Sequence, residues 1–207
     1  MATETMARPT LAGVASYFGT FLDTVEPSQP WQAGAWTVAT NGVMLLARKG
    51  ESASPLPPDK YRAPIERFLS SAFTPVPAQM ADLLTFAGEP FTGAPCDSCG
   101  GTGRDAFVAG VTCEHCGDVT QPECSYCGGD GQESLPWTCA YVLGVPINLS
   151  YLAYGLAAMT PCGQVAVGTI GKDGRRAVVI ESETERFVLQ QMRDTHSDSA
   201  PRWEAIR

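Results

Sequence analysis

Six of the eight cysteines in this chain fall within residues 96–131, as three CxxC pairs: Cys96/Cys99, Cys113/Cys116 and Cys124/Cys127. Two cysteines separated by two residues set both sulfurs on one side of a tight turn, where they can share a tetrahedral cation. This is the ligand spacing of zinc sites. Glycines follow the first pair (Gly100, Gly101, Gly103) and the third (Gly128, Gly129, Gly131), and without a Cβ they let backbone amides turn towards the sulfurs. The competing use of such cysteines, a disulfide framework, belongs to oxidising compartments. The start MATETMARPT has neither the basic-then-apolar order of a secretory signal nor a lipidation pattern. A reduced, cytoplasmic setting and bound zinc are therefore expected.

Two pairings compete for a four-cysteine site. Joining Cys96/Cys99 to Cys124/Cys127 uses the two glycine-rich turns and leaves Cys113, Cys116 and His115 at the tip of the segment. Joining Cys96/Cys99 to Cys113/Cys116 gives C-x2-C-x13-C-x2-C, a ribbon-like spacing that strands the third pair. The first arrangement is preferred because both of its turns carry the glycines. One zinc is expected, and a second site around Cys113 and Cys116 is left open, with Cys139 or Cys162 available to complete it. Buried, unreactive thiols are the default for those two.

The segments CDSCGGTG and CSYCGGDG resemble the cysteine-rich module of DnaJ-type chaperones. That family has four CxxCxGxG repeats and binds two zincs, pairing the first repeat with the fourth and the second with the third. Here there are three pairs, and the middle one, CEHCGD, lacks the glycine pattern.

With 207 residues, the chain has room for one domain of ordinary size plus a small metal module. Its 44% hydrophobic and 17% charged residues are those of a globular protein with a buried core. A net charge of −8 argues against a surface that clings everywhere to nucleic acid. No run of about 18 uncharged apolar residues is present, so no membrane partner is expected.

Along the chain, Thr10 caps a helix whose apolar residues Leu11, Val14, Phe18 and Leu22 recur at helical spacing to about Asp23. Residues 35–50 read as a β-hairpin turning at Asn41-Gly42. A helix over 60–73 has Ile65, Phe68 and Leu69 on one face and Lys60, Arg62 and Arg67 outside it. A short helix over 78–87 follows Pro75 and Pro77. After the cysteine segment, 137–147 is strand-like, Asn148 caps a helix striped by Leu149, Leu152 and Leu156, and Pro161-Cys162-Gly163 stops it. Strands are expected over 164–170, 175–181 and 186–191, and the polar tail 194–207 reads as mobile.

A second resemblance lies outside the cysteine segment. Ala39-Thr40-Asn41-Gly42, Asn148-Leu149-Ser150-Tyr151 and the closing Gln191-Met192-Arg193 are similar, in order and approximate spacing, to segments of the bacterial DNA sliding clamp, the polymerase III beta subunit. That family has an Ala-Thr-Asp-Gly hairpin, an Asn-x-Ser-Tyr helix start and a Met-Pro-Met-Arg ending, from which its hydrophobic peptide pocket draws. The resemblance implies an α+β fold: a single clamp-like domain of two helix-plus-antiparallel-sheet half-units, with an inserted small zinc-binding module. The halves are 9–92 and 135–193, the insertion is 93–134, and the tail is 194–207. A clamp subunit carries three such domains, so one domain here implies a homo-oligomer. Channel helices of a clamp present cations to phosphates, and Lys60, Arg62 and Arg67 are the candidate DNA contacts.

Neither histidine, His115 or His196, stands in an acid–base setting, and no GxSxG, P-loop or HExxH motif occurs. Four thiolates would close a zinc shell and leave no coordination position open for catalysis. The expectation is a non-enzymatic zinc-binding protein of DNA replication or repair that acts through oligomerisation and protein or DNA contacts. The alternative is an adaptor whose zinc knuckles bind a polypeptide partner, with the clamp-like domain as scaffold only.

Overall fold

The structure is a computed structural model, and it describes residues 9–16, 30–50, 59–90, 95–102, 104, 110–112, 119–126, 138–172, 175–192 and 200–204. The chain divides into two compact units. One is Met1–Pro90 with Trp137–Arg207, and the other is Phe91–Pro136.

The first unit is built on a seven-stranded antiparallel sheet. Its strands are β1 (Trp31–Ala33), β2 (Trp36–Thr40), β3 (Met44–Lys49) and β4 (Val76–Gln79) from the first stretch of chain. The second stretch supplies β9 (Gln164–Lys172), β10 (Arg175–Glu181) and β11 (Glu185–Gln190), and the order is β1-β2-β3-β11-β10-β9-β4. The second stretch thus lies between β3 and β4, so the two halves merge in one sheet instead of forming separate half-units. The cause is visible in the register: Met44, Leu45 and Leu46 of β3 face Leu189, Val188 and Phe187 of β11. These cross-strand pairs are fully or almost fully buried, and separating them would leave two apolar strand edges open.

Alternation along these strands gives the sheet two buried faces. Leu45, Val188 and Val179 belong to a cluster with Trp31, Val38 and Ile65, which α2 (Asp59–Ser70) covers through Tyr61, Ile65, Phe68 and Leu69. Trp31 and Tyr61 stack with ring centroids 6.0 Å apart. Their neighbours Leu46, Phe187 and Ile180 point the other way, towards α4 (Leu149–Ala158), which lies against β3 and β11. A Cβ on Gly155 of α4 would lie 2.2 Å from the Phe187 ring, so the helix sits on the sheet as closely as a glycine allows. The helices α1 (Leu11–Ser16) and α3 (Met80–Ala87) flank α4.

Several local readings agree with the structure. The β2–β3 hairpin turns where Asn41 accepts from the amides of Val43 and Met44 at 3.0 and 2.9 Å, with Gly42 at φ 88°. Asn148 accepts from the amides of Ser150 and Tyr151 and so starts α4. Thr10 Oγ1 accepts from the Gly13 amide, and α1 is described to Ser16; the rest of the expected helix lies outside the described residues.

Other readings need correction. The short helix expected over 78–87 begins at Met80, and Val76-Pro77-Ala78-Gln79 before it is the edge strand β4, a position that tolerates proline. The single strand expected over 137–147 is a hairpin of β7 (Cys139–Val142) and β8 (Val145–Asn148). Leu143 and Gly144 both adopt left-handed φ, 48° and 72°, the turn geometry that matches strand twist. Part of the tail is ordered: β12 (Arg202–Trp203) runs parallel to β7, and Arg202 sits 4.5 Å over the Tyr141 ring. No described helix is long and apolar enough to cross a membrane.

Candidate functional site

The second unit holds the cysteine cluster. The first turn is closed by the amides of Cys99 and Gly101, both donating to the Cys96 carbonyl at 3.2 Å, and by Thr102 donating to Cys99. Gly100 and Gly101 stand at φ 61° and 86°, which a side chain would resist. The chain then leaves and returns through the two-stranded hairpin of β5 (Val111–Thr112) and β6 (Val119–Thr120). Arg104 bridges to Glu123, and its guanidinium donates to the Gln121 carbonyl at 3.2 Å. This closure delivers Cys124 to the first turn.

Cys96, Cys99 and Cys124 are 4, 5 and 2% exposed, and their sulfurs lie within 4.8 Å of one another. The Cys96 and Cys124 sulfurs are 3.9 Å apart. A disulfide requires about 2.05 Å, whereas tetrahedral zinc with Zn–S near 2.3 Å sets its sulfurs about 3.8 Å apart. Three soft, convergent thiols at this spacing fit zinc. The Cys99 amide pulls the Cys96 thiol down, but burial and the hydrogen bonds with the Cys99 and Cys124 sulfurs outweigh it, and the thiol is pushed up to about 11. A cation taken up here therefore displaces protons. The cluster joins the first CxxC pair to Cys124 of the third. Cys127, Cys113, Cys116 and His115 lie outside the described residues.

Cys139 and Cys162 are half-buried in the first unit, on β7 and after α4. Burial and the charge of Glu185 both push the Cys162 thiol up, which keeps it protonated at neutral pH.

Of the candidate phosphate contacts, Arg62 and Arg67 are exposed on α2, and the Lys60 side chain lies outside the described residues. Between α2 and the β2–β3 hairpin runs an apolar groove of about 210 Å³, lined among others by Met44, Leu45, Tyr61, Ile65, Phe68 and Val188. Its floor is where β11 meets the hairpin: the Gln190 amide donates to Val43 at 2.9 Å, and its side-chain amide donates to Gly42 at 3.0 Å. Two residues on, the Met192 amide donates to Pro146 at 2.9 Å, just before the Asn148 cap. The end of β11 thus reaches the hairpin at Gly42 and Val43 and, through Met192, Pro146 two residues ahead of the Asn148 cap, all far apart in sequence.

The start of β11 holds the helices over this floor. Its adjacent residues Glu185 and Arg186 are 1 and 7% exposed and face opposite sides of the sheet. Glu185 pairs with Arg48 at 2.5 Å and accepts from the Thr160 amide and hydroxyl, while Arg48 donates to the Ala158 carbonyl at the end of α4. Arg186 pairs with Glu181 and donates to the carbonyls of Phe68, Leu69 and Ser71 at the end of α2. Each pair occupies the negative end of a helix, where carbonyls lack partners. Sequence reasoning missed both pairs. Their only sequence signal is two charges opening an otherwise apolar strand, ERFVLQ.

No family model matches the sequence, and no curated protein matches it. Among solved structures, the chain is similar to the DNA polymerase III beta chain of Streptococcus pneumoniae TIGR4, with 11% identity over 83% of this chain and 57% of that one, at a TM-score of 0.37. It is also similar to the DNA polymerase III beta subunit of Thermotoga maritima, with 12% identity over 92% of this chain and 63% of that one, at a TM-score of 0.39. The chain therefore spans less than two thirds of the length of either.

Proposed function

We propose that this chain is a non-enzymatic, zinc-binding, clamp-like scaffold of DNA replication or repair, working through self-association and through protein or DNA contacts. The observation that carries the reading is the convergence at the end of β11. The hairpin 39–42, the helix start at Asn148 and the closing Gln191-Met192-Arg193 are the three places where the sequence resembles a sliding clamp. Hydrogen bonds from Gln190 to Gly42 and Val43 and from Met192 to Pro146, two residues before Asn148, bring their neighbourhoods together. Protein contacts are assigned to the apolar groove that α2 closes over this junction. Zinc is held by Cys96, Cys99 and Cys124, with Cys127 as the fourth ligand from its CxxC spacing. Its role is structural: it fastens the two glycine-rich turns that begin and end the inserted segment.

Light scattering coupled to size exclusion, together with retention on nicked circular DNA, tests this reading. Multimers that stay on circular DNA and slide off when it is linearised are expected. A strict monomer with no retention overturns it.

A second reading, a zinc-knuckle adaptor for a polypeptide, is favoured by Tyr126. This residue lies between Cys124 and Cys127 and is 77% exposed, an aromatic placed in solvent on the rim of the metal module. Deleting residues 96–131 separates the two. Loss of partner capture by an otherwise folded chain supports the adaptor, and unchanged capture removes it.

A further inference from the structure

Along α2 the apolar groove opens into a second, wider cleft of about 620 Å³, and the two share Pro64, Phe68 and Gln190 as common walls. The chemistry changes abruptly there. Arg67, Lys172 and Arg176 line the wider cleft with Ser71 and Gln191, and none of its described lining residues is acidic. The chain as a whole carries −8, so three cations gathered in one trough run against its overall sign. Arg176 is steadied from behind: its backbone amide donates to Gln191, and its guanidinium reaches the carbonyls of Leu143 and Gly144 at 3.5 and 3.4 Å, in the β7–β8 turn. Arg67 lies 5.6 Å over the Phe68 ring at the junction of the two clefts. Among the described residues, none of the three cations is paired with a carboxylate.

We propose that the two clefts form one bipartite docking site for an extended acidic peptide segment of a partner protein: an apolar side chain enters the groove beside Leu45 and Val188, and flanking carboxylates lie along Arg67, Lys172 and Arg176. This rests on the assignment of protein contacts to the groove and adds the charge of the partner. Charge complementarity selects the occupant. A neutral apolar segment would fill the groove and leave the trough empty, and a small anion would use the trough and leave the groove open. Only a chain carrying both features uses the shared wall. The amide atoms of Gln190 and Gln191 that carry no bond among the described residues, Oε1 and Nε2, offer an acceptor and a donor for the backbone of such a segment.

The test is a random display library of peptides about ten residues long, panned on the full chain, followed by fluorescence anisotropy with the selected peptide and its analogue in which Asp and Glu become Asn and Gln. Acidic residues beside an apolar anchor are expected to be enriched. The acidic form should bind about tenfold tighter than the amide form, as two exposed ion pairs provide, and added salt should narrow the difference. The variant Arg67→Gln/Lys172→Gln, changed only at solvent-exposed side chains, should bind both forms alike. Peptides recovered without acidic enrichment, or a tenfold preference that survives in the variant, overturn the proposal and leave the groove assignment standing. Recovery of no peptide removes both. Displacement of the peptide by a single-stranded oligonucleotide at equal concentration reassigns the trough to phosphate and overturns the peptide proposal.

Discussion

Replacing Glu185 by alanine is the sharpest probe of how the fold is held together. Glu185 is 1% exposed, and its carboxylate serves the Arg48 guanidinium, the Thr160 amide and the Thr160 hydroxyl. Removing it takes a buried carboxylate away from Arg48, whose side chain is 13% exposed and which also donates to the Ala158 carbonyl at the end of α4, and away from the Thr160 amide. Breaking a buried pair from one side costs about 3 to 5 kcal/mol, because the abandoned charge remains desolvated. Against a total stability of about 5 to 15 kcal/mol, that loss is unmistakable. Urea unfolding followed by tryptophan fluorescence is the assay, since Trp31, Trp36 and Trp203 all lie in the first unit. Glu181→Ala is the internal comparison. Its carboxylate pairs with Arg186 but is 32% exposed, and Arg186 keeps three carbonyl acceptors, so a loss of about 1 kcal/mol is expected. The double replacement Arg48→Met/Glu185→Leu should recover most of the stability, because no charge is then buried alone. A Glu185→Ala loss below about 0.5 kcal/mol, or one no larger than that of Glu181→Ala, would refute the assignment of Glu185 as the anchor of α4.

Gly155→Ala sets two effects against each other. Helix propensity favours alanine by about 1 kcal/mol, but the new Cβ meets the fully buried Phe187 ring at 2.2 Å, and overpacking of this kind costs about 1 to 3 kcal/mol. The clash dominates, and thermal melting should show a lower midpoint; a higher one contradicts the α4–sheet contact. In alkali, burial raises the phenols of Tyr151 and Tyr154 above their usual value of 10. Their contribution to stability is complete below pH 10 and falls as pH rises through their folded values, because the unfolded chain ionises first. Urea midpoints should therefore drop as pH rises above about 10, and a flat profile contradicts the burial of these two side chains.

What could be read in the sequence was what local chemistry determines. Asn41-Gly42 demands a hairpin turn, Asn148 before Leu149 caps a helix, and two residues between cysteines set a ligand turn, whatever the rest of the chain does. Long-range decisions were hidden. Nothing local in ERFVLQ says that Glu185 will reach one helix end and Arg186 another, because Thr160 lies 25 residues away and Arg48 and the end of α2 more than a hundred. The edge strand at Val76 was concealed by the helix that follows it, and β12 by a polar composition that forms a strand only because β7 offers it a free edge. The charge trough was invisible for the same reason: Arg67 and Lys172 become neighbours only once β9 and α2 meet the same sheet. Cys124 could be named as a ligand candidate, but only the return through β5, β6 and the Arg104–Glu123 strand pairing sets it beside Cys96.

Native mass spectrometry of the zinc-loaded chain measures the metal centre most directly. With Cys113→Ser and Cys116→Ser both in place, the chain should still carry one zinc, and adding Cys124→Ser should remove it. A Cys113→Ser/Cys116→Ser chain that carries no metal, or one that keeps its zinc after Cys124 is replaced, contradicts a centre built from the first and third cysteine pairs.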